Sequence, residues 1–430
     1  MARPEDPQDS VVEEMDEPAT EKAALLAAPE LIAQSFGEYV RAWVLRVRSG
    51  DAGSLPVVGG LLLISILFQS LNSNFLTAGN LVNLLIQGAV YMLLAMAEVW
   101  VLLLGEIDLS AGYVAGLGGV VMAELIKQGT DWPWPAAIAA ALLATAGIGA
   151  LHGTLITRIG LPSFVVTLAG LLGWQGVMLL ILGQGGVVSI NSTFINNLTS
   201  GQLTVAMSWI VMAALVAVYG VRAWLRDSRR RASGLVAPPP SVTVLRIASV
   251  LVAGIAVVLI CSVNRGVLTP IRGLPWVVLV VLGVVAVWSF VLGRTSFGRY
   301  VYAIGGNPEA ARRAGVSLPL IRTACFTFAS LTAGIAGIIY ASRLRSVSTS
   351  IDGGTLVLYA VAAAVIGGTS LFGGRGKASQ AVLGGLVIAA IDNGMGLQGY
   401  SAYVRFIVTA LVLLAAVTID ALTRRGRTAR

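Results

Sequence analysis

Beyond residue 50 the chain carries eleven carboxylates, and four of them stand where a ligand or a proton could use them. Glu98 lies near the middle of an apolar run over 81–104. Glu106 and Asp108 fall in Gly105-Glu106-Ile107-Asp108-Leu109-Ser110-Ala111-Gly112, and Asp392 precedes Asn393 at the end of another apolar run. A charge at membrane depth is costly, so a carboxylate there is a functional candidate by default. Ser110, Thr369, Ser370 and Asn393 add uncharged hydrogen-bonding groups, the set that a neutral polyhydroxylated ligand needs for a pathway or gate. Each has a plainer reading. Glu98 can bond across helices or face a wet cavity. Glu106 and Asp108 can cap or brace the helix that follows them, as Asp392 and Asn393 can brace theirs. Thr369 and Ser370 belong to a Gly-rich run, Gly367 to Gly376, that reads equally as a tight turn.

Other chemistries are excluded. The one histidine, His152, has no cysteine or carboxylate neighbour with which to form a zinc cluster. Cys261 and Cys325 sit in apolar runs as buried small side chains. The nearest approach to a phosphate-cradling loop, Gly373-Gly374-Arg375-Gly376-Lys377-Ala378, lacks the first glycine at the required spacing and the hydroxyl after the lysine. No catalytic residues, metal or cofactor are therefore expected on this chain, and any ATP and Mg must be handled by another. The net charge of +8 comes from basic clusters between apolar runs, which fits membrane topology rather than nucleic acid.

The elements that position these groups are membrane helices. With 56% hydrophobic and 12% charged residues, the chain departs from the roughly 25% charged composition of soluble domains. At about 20 apolar residues per span, hydropathy places candidate spans at 56–72, 81–104, 110–127, 134–157, 162–183, 204–224, 246–264, 275–293, 322–341, 355–372, 378–395 and 402–422. The Gly-rich pairs 81–127 and 355–395 can include broken or re-entrant pieces. The expectation is an all-α polytopic membrane protein of about twelve transmembrane helices. With the N-terminus in the cytoplasm, 18 basic residues beyond residue 50 fall inside and 6 outside, so both termini are expected to be cytoplasmic. Residues 1–30, with nine acids and no apolar core, read as a disordered acidic tail. Residues 31–50 read as an amphipathic interfacial helix, 51–424 as the membrane domain and 425–430 as a basic tail.

One cytoplasmic connection, 294–321, is too long for a turn. Within it Asn307-Pro308-Glu309-Ala310-Ala311 begins like a capped helix, and Gly315 stops it. Glu309-Ala310-Ala311 with Gly315 and Leu318-Pro319 resembles the EAA loop of ABC importer permeases. Five other runs resemble segments of bacterial monosaccharide permeases: Ile107-Asp108-Leu109-Ser110, Pro162-Ser163-Phe164-Val165-Val166-Thr167-Leu168-Ala169-Gly170, Tyr302-Ala303-Ile304-Gly305-Gly306-Asn307, Val365-Ile366-Gly367-Gly368-Thr369-Ser370-Leu371-Phe372-Gly373-Gly374, and Asp392-Asn393-Gly394-Met395. The resemblance is strongest to the xylose type, whose two-helix hairpin corresponds to 204–264, added to a ten-helix core similar to the vitamin B12 permeases. It implies a plasma-membrane permease that moves a monosaccharide, xylose or a relative, by alternating access. It further implies an ATP-binding subunit docked on the coupling residues Asn307, Glu309, Ala310, Ala311 and Gly315. An extracytoplasmic sugar-binding protein and a second permease copy complete the implied assembly. The alternatives are another pentose, a hexose or a nucleoside as cargo, or a self-sufficient carrier built on Glu98.

Overall fold

The computed structural model describes residues 35–48, 53, 55–183, 186–235 and 237–428. The acidic segment 1–30 and the first residues of the expected interfacial helix lie outside these. The helices are α1 (Phe36–Arg48), α2 (Leu55–Leu71), α3 (Ala78–Leu102), α4 (Ala111–Ile126), α5 (Trp134–Thr154) and α6 (Ser163–Leu182). After strand β1 (Val187–Ser189) come α7 (Thr193–Ser200), α8 (Val205–Ala232), α9 (Pro240–Ser262), α10 (Trp276–Arg294), α11 (Ser296–Gly306), α12 (Pro308–Arg313) and α13 (Leu318–Leu344). Strand β2 (Ser346–Ser348) precedes α14 (Gly353–Ile366), α15 (Ala378–Leu397) and α16 (Ala402–Thr428).

Among the described residues eight helices are long and apolar enough to cross a membrane, and α2, α4, α14 and the apolar part of α16 are shorter apolar helices. Each sits on one of the segments read from hydropathy. The largest displacement is at α8, which runs on to Ala232, and α9 begins early, at Pro240. A helix need not stop where its apolar stretch does, and the arginines ending α8 are good helix formers. Likewise α16 continues through Thr428, into the segment read as a basic tail. The 16 residues of α4 and 14 of α14 reach about 24 and 21 Å at 1.5 Å per residue, short of the roughly 30 Å hydrocarbon core. These are the Gly-rich pieces for which broken spans were expected.

Two compact units are distinguished, 53–208 with 258–430 and the described part of 1–52 with 209–257. In the smaller unit α8 and α9 approach closely where Gly254 meets Met212 and Gly220 meets Ile247. The carboxylate of Asp227 accepts from Thr243 at 3.0 Å and from Arg226 at 2.9 Å, and Arg246 donates to the Tyr39 hydroxyl of α1 at 2.9 Å.

In the larger unit α3 is the central helix, every residue from Gly88 to Leu102 being buried. Around it α13 packs on α5, α3 and α4, while α15 packs on α3. Small residues permit this. A Cβ on Gly337 would stand 1.7 Å from the Ala115 carbonyl oxygen, and one on Gly118 only 3.0 Å from the Gly334 Cα. Close approach of backbones replaces the hydrophobic drive that is weak between helices in lipid. Large side chains fill the opposite need: Trp100 is fully buried in a nest with Trp288, Phe297 and Phe328, edge-on to Trp288 at 5.0 Å. Strands β1 and β2 pair antiparallel, Val188 opposite Val347.

Candidate functional site

The residues singled out by type and spacing gather in three places in the larger unit. The first lies around the C-terminal end of α3. After Leu102 the chain makes tight turns through Gly105, whose φ of +77° favours glycine. It then runs as an irregular segment to α4. Asp108 braces that segment: its Oδ1 accepts from the Ser110 amide at 2.9 Å and from the Ser110 hydroxyl at 2.5 Å. This is the bracing role; Ser110 itself makes no side-chain cap to α4. The Ser110 Oγ also faces His152 Nδ1 at 3.4 Å, and Trp174 of α6 donates to His152 Nε2 at 2.9 Å. Glu98, Asp108 and Ser110 are fully buried, and both Glu98 oxygens lack a hydrogen-bond partner among the described residues.

Glu106 ties the same segment to α13. Its Oε1 stands 3.4 Å from Arg322 Nε of α13, and both residues line a cavity of about 470 Å3 between residues 156–161, the start of α6 and the start of α13. Thr369 and Ser370 lie beside this region, in a loop joined to the α3 end where the Gly374 amide donates to the Leu103 carbonyl at 2.9 Å. Gly305 of α11 closes on the same carbonyl, where its Cβ would stand 1.8 Å away. The Tyr302 hydroxyl, also of α11, donates to the Gly376 carbonyl at 2.7 Å. The segment 103–110, the end of α11 and the 367–376 turn therefore form one interlocked patch.

The second place is at the other end of α3. Asp392 Oδ2 accepts from Gln87 Nε2 at 2.7 Å and from the Tyr91 hydroxyl at 3.0 Å, and Arg405 of α16 stands 3.7 Å from its Oδ1. Asn393 and Asn80 exchange amide hydrogen bonds at 2.8 and 3.0 Å.

The third place is α12. The Ala310 amide donates to the Asn307 side chain at 3.0 Å, Glu309 pairs with Arg312 at 2.9 Å and Arg313 at 3.1 Å, and Gly315 turns the chain at φ +81°. The two guanidiniums hold the Glu309 carboxyl below the ordinary range. Ala311 is buried, whereas Asn307, Glu309, Ala310 and Gly315 are exposed.

The partners Gln87, Tyr91, Arg405, Trp174 and Arg322 were not singled out from sequence. Their only signal is a polar or aromatic type within an apolar run, which becomes meaningful once helix packing pairs it with a carboxylate. Among the described residues no group of three histidines, cysteines or acids could hold a metal ion.

The described residues thus define an all-α polytopic membrane protein with buried polar networks and an exposed capped helix. Residues 80–417 match the family described as the permease component of branched-chain amino acid transport systems, and the chain belongs to that family. It is 36% identical to the xylose transport system permease protein XylH of Escherichia coli K12 over 371 residues, 86% of this chain and 92% of that protein. It is 30% identical to the ribose import permease protein RbsC of the same strain over 89% of this chain and 95% of that protein. The D-allose transport system permease protein AlsC of that strain is 28% identical over 84% of this chain and 90% of that protein. No solved structure matches. The chain is thus a transporter subunit of the bacterial plasma membrane and not an enzyme.

Proposed function

We propose that this chain is the membrane-spanning subunit of an ATP-driven importer for a monosaccharide, xylose or a closely related sugar. The likeness to XylH supports the sugar. The observation that carries the ATP-driven reading is α12, a helix of six residues capped by Asn307, stopped by Gly315 and exposed on all but Ala311. A short ordered helix with so little to bury serves a partner rather than its own core. In this reading α12 seats in an ATP-binding subunit on the cytoplasmic side. A sugar-binding protein delivers cargo to the opposite face, and a second permease copy completes the pathway. ATP binding moves the α12 helices and switches the spans between outward and inward access.

The test is to tag the C-terminus, extract the protein in mild detergent and identify the co-purifying chains. An ATP-binding chain that is lost when 305–315 is mutated supports the reading, and Gly315→Pro should uncouple hydrolysis from uptake without preventing membrane insertion. A permease recovered alone that transports without ATP would point instead to a carrier built on Glu98. The ribose and allose relatives favour a second cargo reading within the same mechanism, another pentose or a hexose. Uptake assays with the three sugars separate them.

A further inference from the structure

We infer that the cavity between the starts of α6 and α13 is a sugar subsite on the permease itself, with Glu106 and Arg322 as its hydrogen-bonding pair. Its volume, about 470 Å3, falls inside the range of roughly 300–1,000 Å3 typical of small-ligand pockets. The ion pair in its lining is incomplete. Arg322 Nε lies 3.4 Å from Glu106 Oε1, close enough for attraction, yet it meets no hydrogen-bond geometry and is enclosed without an acceptor. A carboxylate with spare lone pairs beside a guanidinium whose side chain remains 28% exposed is complementary to a hydroxyl group, which donates to the first and accepts from the second. The neighbouring wall is apolar: Phe164, Pro162 and Pro319 line the same cavity, and Phe164 is 54% exposed. A sugar ring presents both faces this arrangement wants, hydroxyls at its edge and C–H groups on its flat side. A free ion would satisfy the pair but leave the aromatic wall idle.

The inference rests on the sugar-permease reading and adds where the cargo pauses: on the α13 N-terminal side, which the proposed topology makes cytoplasmic. Selection on entry then belongs to the delivering protein, and this pair acts on release.

The experiment uses the complete transporter with its partner subunits in membrane vesicles. Ser163, which lines the cavity, is replaced in Ser163→Cys, and the rate of its reaction with a small maleimide is followed. The native Cys261 and Cys325 are both buried. D-xylose, D-ribose or D-allose should slow labelling at saturation, while a disaccharide control should not. Glu106→Gln in the same background should raise the sugar concentration that gives half-protection about tenfold, the scale of one lost charged hydrogen bond. The exchanged pair Glu106→Arg with Arg322→Glu restores the attraction but turns donor and acceptor around, so it should recover expression without recovering half-saturation. Wild-type half-saturation in the exchanged pair would make the contact merely structural and overturn the inference. If uptake is normal and the introduced thiol labels equally fast with and without sugar, the subsite fails alone. If the unsubstituted complex takes up none of the three sugars, the functional reading fails and the subsite falls with it.

Discussion

The indole N–H of Trp174 donates to Nε2 of His152 at 2.9 Å. Nε2 must therefore present a lone pair, which leaves the ring proton on Nδ1, directed at the Ser110 hydroxyl 3.4 Å away. Ser110 in turn donates to Asp108. Four residues from three parts of the chain thus form one oriented line of donors ending on a buried carboxylate, and it anchors the irregular segment before α4.

Trp174→Phe should break that line at its first link. The indole is replaced by a ring of similar shape, but Nε2 is left enclosed without a donor, a cost of about 1–3 kcal/mol. Thermal unfolding in detergent should show the loss, and Trp174→Phe combined with His152→Leu should recover part of it. An unchanged midpoint in Trp174→Phe would mean that the line does not stabilise the segment.

Two glycines four residues apart on α4 should respond differently to the same methyl group. A Cβ on Gly112 would stand 1.8 Å from the Gly353 carbonyl oxygen, whereas one on Gly116 would meet Met178 Sδ at 3.2 Å and Ile351 Cγ2 at 3.4 Å. Backbone cannot yield as a thioether can. Gly112→Ala is expected to cost about 3 kcal/mol or more and Gly116→Ala less than about 1.5 kcal/mol. The yield and unfolding midpoint of monodisperse protein compare them.

At Asp392 a charge and a shape can be separated. Asp392→Asn keeps an acceptor for Gln87 and Tyr91 and loses the attraction to Arg405, so a change of about 1 kcal/mol or less is expected. Asp392→Leu strands both donors and should cost at least about twice as much. Equal midpoints for the two variants would show that neither hydrogen bond matters to stability.

The α12 loop carries a pH prediction. Arg312 and Arg313 hold the Glu309 carboxyl below its ordinary value. A folded-state value below the unfolded one adds order that is fully present above the unfolded value and is lost as the pH falls through the folded value. Hydrogen-exchange protection of 307–315 should therefore decline only at the acid end, below the usual carboxylate range. Glu309→Gln should show weaker protection at neutral pH and no decline on acidification. A parallel decline in that variant would assign the effect to another group.

The helices and their places were legible because membrane spans announce themselves by composition, and the Asn307 cap and Gly315 stop because capping is local. The pairings were not. Nothing in the spacing says that Glu106, one turn past the end of α3, will meet Arg322 more than two hundred residues later, or that Trp174 will reach His152. Such contacts depend on which faces of α5, α6 and α13 turn towards one another, and in apolar helices the hydrophobic pattern carries almost no facing signal, since lipid and core are equally apolar. The connection over 186–203, which lies outside every apolar run, contains β1 and α7; its strand pairs with residues 346–348.

That pairing has a consequence for anyone recombining this chain with its relatives. Val187–Ser189 and Ser346–Ser348 are separated by more than 150 positions yet share one ladder, and the hydroxyl of Thr199 stands 2.9 Å from that of Ser342 beside it. A chimera that imports either connection alone receives half of a joint. The two must be exchanged as a set, and a donor-recipient mismatch should surface as lost surface expression before any change in cargo preference can be read.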